Sequence, residues 1–133
     1  MTIQVTITTT FPKGVSPAMF KPQYKHLYDM KNEILRKHMD PTREVEVSRT
    51  DDDIESTYTT VVKSYYNSVE DYNNCMTELQ LSVGNIGASL TEMDKVALSR
   101  RKRTLQVVDL ETNELLKDIE MGMDGDGHEL ITV

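Results

Sequence analysis

Ile3, Val5 and Ile7 alternate with Gln4, Thr6 and Thr8, a period of two that predicts a half-buried strand. Phe11, Pro12 and Gly14 end it. A helix is expected next, starting near Ser16 and Pro17 or at Pro22, since proline is tolerated at a first helical position. Phe20, Tyr24, Leu27, Ile34, Leu35 and His38 fall on one of its faces, and Asp40-Pro41 stops it. Residues 44–47 alternate again, Asp51, Asp52 and Asp53 read as an acidic turn, and the Thr- and Tyr-rich run 54–65 reads as a long strand closing a hairpin. Ser68 then caps a helix to about residue 82, with Glu70 and Asp71 in its first turn and Tyr72, Cys75, Met76 and Leu79 on one stripe.

Beyond residue 83 the pattern weakens at Gly84 and Gly87. A third helix is expected over 89–101, opened by the capping box Ser89 to Glu92 and closed by the basic run 100–103. Residues 105–110 and 115–121 predict a second hairpin. The order is strand, helix, strand, strand, helix, then an extra helix and a hairpin. That predicts an α+β fold of the ferredoxin-like β-α-β-β-α-β type, an antiparallel sheet with helices on one face. Residues 1–121 are expected to form one domain. The Gly- and acid-rich tail 122–133 is expected to be flexible.

The hairpin strand followed by Ser68-Val69-Glu70-Asp71-Tyr72 resembles the signature of small dimeric α/β-barrel proteins, the antibiotic-biosynthesis-monooxygenase-like group. In that group a strand likewise runs into a Ser-x-Glu-Asp-Tyr-type helix start. The opening run MTIQVTITTTFP resembles phage-encoded members that begin with a Thr-rich strand. The resemblance covers about residues 1–80. It implies a ferredoxin-like protomer whose bare sheet face packs on a second copy. Haem-degrading members use an Asn, a His and a Trp. This chain has no Trp and no Asn in its first strand, so that activity does not follow.

Composition narrows the classes. With 133 residues, 38% apolar, no Trp and two Phe, one thin core is expected, to which a second copy could add. A net charge of −7 argues against general nucleic-acid binding, which needs clustered cations. The single Cys75 excludes an intrachain disulfide. No apolar run nears the roughly 20 residues of a membrane span, and no secretory signal is visible. A cytoplasmic protein, or a virion component assembled in the host cytoplasm, is expected.

The candidate chemistry is sparse. The aspartates 51–53 offer oxygen ligands for Ca²⁺ or Mg²⁺ but read first as a solvated turn. Asp124, Asp126 and Glu129 lack the glycine spacing and reach of a calcium loop. His26, His38 and His128 stand in no relation to a nucleophile. Cys75 lies on a buried stripe. No catalytic, cofactor or metal site is therefore assigned. The positions proposed for an interaction surface or pocket are Tyr24, His38, Tyr58, Thr60, Val62 and Tyr65; Tyr58, Thr60 and Val62 would line a pocket or dimer seam if they share the bare sheet face, and cross-strand packing explains them as well. The leading expectation is a non-enzymatic, self-associating structural protein. The alternative is a cofactor-independent monooxygenase-like enzyme or small-ligand binder using a cavity between helices and sheet.

Overall fold

The computed structural model describes residues 1–14, 22–83, 101–120 and 132–133, with side chains on the first helix from Asp29 onward. Its elements are β1 (Ile3–Pro12), α1 (Pro22–His38), β2 (Glu46–Asp52), β3 (Thr57–Tyr66), α2 (Val69–Val83), β4 (Lys102–Asp109) and β5 (Glu114–Glu120). They form an α+β architecture, with one antiparallel sheet in the order β2-β3-β1-β4-β5. The third helix expected over 89–101, and most of the tail, lie outside the described residues. The last two residues are tied down. Val133 N–H donates to Asn73 Oδ1 (2.8 Å), Asn73 Nδ2 donates to Val133 O (3.1 Å), and Lys117 Nζ donates to Thr132 O (2.9 Å).

The pleat sorts the sheet into two unlike faces. Ile3, Val5 and Ile7 on β1 pair with Tyr66, Ser64 and Val62 on β3 and with Asp109, Val107 and Leu105 on β4. Cross-strand partners share a face. This face meets Ile34 of α1 and Tyr72, Cys75 and Met76 of α2 in a single core. Fully burying each aliphatic residue here stabilises by about 1.5–3 kcal/mol. The opposite face is mostly polar, with Val61 and Val108 among its residues. Thr6 lies between Lys63 and Gln106, Thr8 between Val61 and Thr104, and Thr10 between Thr59 and Lys102. The Thr10 and Thr59 hydroxyls hydrogen-bond at 3.0 Å.

Local chemistry explains the boundaries. α2 begins where the Ser68 hydroxyl accepts the Asp71 N–H at 3.0 Å, as its capping position requires. β3 starts at Thr57, three residues later than expected, because Ser56 turns with a φ of 53°. β2 in turn runs on through Asp51 and Asp52, which pair with Tyr58 and Thr57 instead of forming the turn. The turn falls at Asp53 to Ser56, where the Asp52 carboxylate accepts the N–H groups of Ile54 (3.0 Å) and Glu55 (3.1 Å). The basic residues Lys102 and Arg103, expected to close a helix, open β4.

α1 and α2 are joined at the end of α1. Glu78 accepts Lys37 Nζ at 2.9 Å and contacts His38 Nε2. The His38 contact and then Lys37 hold the Glu78 carboxyl below its ordinary value of 4.5. A depressed folded-state pKa contributes stability that is complete above the unfolded value and fades as pH falls through the folded one. Glu78→Gln is therefore expected to flatten the acid side of the stability profile, below about pH 4.5. Thermal midpoints measured from about pH 6 to pH 3 check this, and parallel wild-type and variant curves would refute it.

Candidate interaction surface

The six positions singled out in the sequence do not converge. Tyr58, Thr60 and Val62 do share a face, but it is the helix-bearing one, because they sit in register with Phe11, Thr9 and Ile7 of β1. That register takes them off the bare face, so the condition for a seam there is not met. Tyr58 is buried, stacked on Phe11 at 5.2 Å between ring centroids, with the Arg49 guanidinium 4.2 Å from its own centroid. Burial raises its hydroxyl pKa, and Arg49 opposes the shift. Tyr65 points to the opposite face. His38 is engaged with Glu78 on the helix layer, and the Tyr24 side chain lies outside the described residues.

Tyr65 centres a small polar network. Its hydroxyl donates to Glu46 Oε2 at 2.6 Å and accepts from Gln4 Nε2 at 3.3 Å, and the Arg43 guanidinium lies 4.9 Å from the ring centroid. The bond to Glu46 is the main reason its pKa is raised. Its carbonyl accepts the Asp40 N–H at 2.8 Å, and Asp40 in turn accepts both N–H and hydroxyl of Thr42. The network thus fixes the loop from α1 into β2. It positions the start of β2.

The aspartates of the first hairpin are each engaged. Asp51 accepts Arg49 Nε at 3.0 Å, Asp52 caps the turn, and Asp53 pairs with Lys13 across from β1. Among the described residues no group of three or more acidic, His or Cys side chains is placed to hold a metal ion. A shallow depression of about 250 Å³ near this hairpin is lined by Thr10, Phe11, Pro12, Glu55, Thr57 and Lys102, none of them an expected pocket residue. The basic run is split by the pleat. Lys102 is exposed, whereas Arg103 lies on the helix-bearing face, near half-buried Lys31. Burial first, then Arg103 and Arg101, push the Lys31 ammonium down to about 8. These cations therefore do not form one solvated stripe of the kind nucleic acids engage.

No family model matches the chain, and no curated protein is significantly similar to it. Among the described helices, none is long and apolar enough to cross a membrane.

What stands out is β2. Among the described residues it lies at the rim of the sheet and pairs with β3 alone, and every one of its residues is exposed. Val47 is 69% exposed, Val45 just before it 42%, and Ile54 at the hairpin tip 94%. A strand edge carries a row of backbone N–H and C=O groups directed away from its one neighbour, ready to pair with another strand. Sequence reasoning found this hairpin but not its exposure, because exposure depends on where the helices settle.

Proposed function

We propose that this chain is a non-enzymatic, self-associating structural or interaction protein built on a ferredoxin-like sandwich. The order β-α-β-β-α-β, with β4-β1-β3-β2 side by side and β5 added outside β4, is compatible with that fold. The observation that carries the reading is β2, a seven-residue rim strand exposed throughout and flanked by Val45 and Ile54. Natural proteins shorten, twist or cover such edges unless they are used. The resemblance noted in the sequence implies association through the bare sheet face. Beside Val61, Val108 and Leu115, that face carries Thr6, Thr8, Thr10, Thr59, Lys63, Thr104 and Gln106, so most of it has little to gain from leaving water. The rim is therefore the better candidate. The setting in a phage particle or its host's cytoplasm is part of this reading and rests on the sequence alone. Sedimentation equilibrium at tens of micromolar tests the proposal, with a dimer or larger species expected. A monomer across that range would end it.

A further inference from the structure

We infer that a second copy of this chain extends the sheet by antiparallel pairing of β2 with β2, with Thr50 on the two-fold axis and Arg49 of each copy opposite Asp51 of the other. The inference rests on the self-association proposed above and specifies its register.

Backbone geometry limits the choices. In an antiparallel pair, residues directly opposite must both direct their backbone groups toward the partner or both away, so a two-fold axis falls on a residue and not between two. For pairings that use most of β2, the axis passes through Ser48, Arg49 or Thr50. Centred on Arg49, the strand sets two guanidinium groups against each other and Glu46 against the partner's Asp52. Centred on Ser48, it sets Arg49 against the partner's Val47 and brings no opposite charges together. Centred on Thr50, it sets Arg49 against the partner's Asp51 twice, and Ser48 against the partner's Asp52 twice.

Arg49 and Asp51 already hold each other at 3.0 Å on one face of the strand. The Thr50 register brings the two such pairs together as a square of alternating charge. Opposite charges directly across a strand pair favour a register, and like charges disfavour it. The same register carries the hairpin tip alongside the start of the partner's β2, with Ile54 across from the partner's Glu46 and Val47 across from the partner's Asp53. The alternating charges on β2 deter other strands and accept a copy of themselves.

The test uses the full chain with charge substitutions at the exposed rim, where folding is checked by far-UV circular dichroism. Arg49→Asp sets four carboxylates in the square, and Asp51→Arg sets four cations there. Each alone is expected to weaken dimerisation by roughly tenfold to a hundredfold. Mixed in equal amounts, the two variants are expected to recover a heterodimer, since every Asp then faces an Arg. The double variant R49D/D51R restores the square within one chain and is expected to dimerise by itself, which keeps the test decisive should either single variant fold poorly. A wild-type dimer that survives both single substitutions, or a mixture that stays monomeric, would overturn the register while leaving self-association intact. A monomeric wild type would remove both.

Discussion

Tyr66→Ala is expected to destabilise the fold by about 3–5 kcal/mol, the range for removing a large buried aromatic ring. Tyr66 is 1% exposed at the end of β3, where the strand turns into α2. It pairs with Ile3 across the sheet and meets the Tyr72 ring edge-on, at 5.5 Å and 87°. Its hydroxyl lies 4.0 Å from Cys75 Sγ, and burial raises its pKa. The ring thus joins β1, β3 and α2 at one point, and alanine would leave a cavity lined by parts of all three. Tyr66→Phe keeps the ring and removes only the hydroxyl, so a loss of about 1 kcal/mol is expected. Urea unfolding of the three chains measures both. An alanine variant within about 1 kcal/mol of wild type would show that the core does not hinge on this residue.

Cys75 is expected to react with a disulfide reagent at neutral pH more than a hundredfold more slowly in the native protein than in the unfolded chain. Its side chain is fully buried in the core between α2 and the sheet. Burial pushes the thiol up to about 11, with the Tyr66 hydroxyl opposing the shift. Only the thiolate attacks, and an ordinary thiol has a pKa near 8.5, so the reactive fraction falls by about two orders of magnitude before access is considered. The time course of colour release with and without denaturant checks it. Equal rates would mean that α2 opens readily from the sheet.

Some of this structure was legible because one local rule decides it. Ser68 and the stripe Tyr72, Cys75, Met76 and Leu79 specify both the start of α2 and its buried side. In β1, apolar residues occupy the odd positions from Ile3 to Ile7 and polar ones the even positions, so the core face is unambiguous. β3 is different. Tyr58, Val62 and Tyr66 share one parity while Val61 and Tyr65 share the other, so composition does not choose a face. Only the register with β1 assigns it, and it puts Tyr58, Thr60 and Val62 on the helix-bearing face. Asp51 and Asp52 looked like a turn because aspartate is poor in strands, yet an exposed rim tolerates charge. The contact of His38 with Glu78 joins residues 40 positions apart, and no local pattern encodes it.

Asn73 clasps the amide of Val133, and Lys117 of β5 holds the residue before it. The chain therefore finishes beside β5, across the whole width of the sheet from β2. Two copies joined rim to rim, as proposed, would carry Val133 toward opposite ends of a ten-stranded ribbon, roughly 40–50 Å apart at about 4.8 Å per strand. Fluorophores attached there would act as a ruler for the assembly, and a fusion placed there would leave the pairing rim clear.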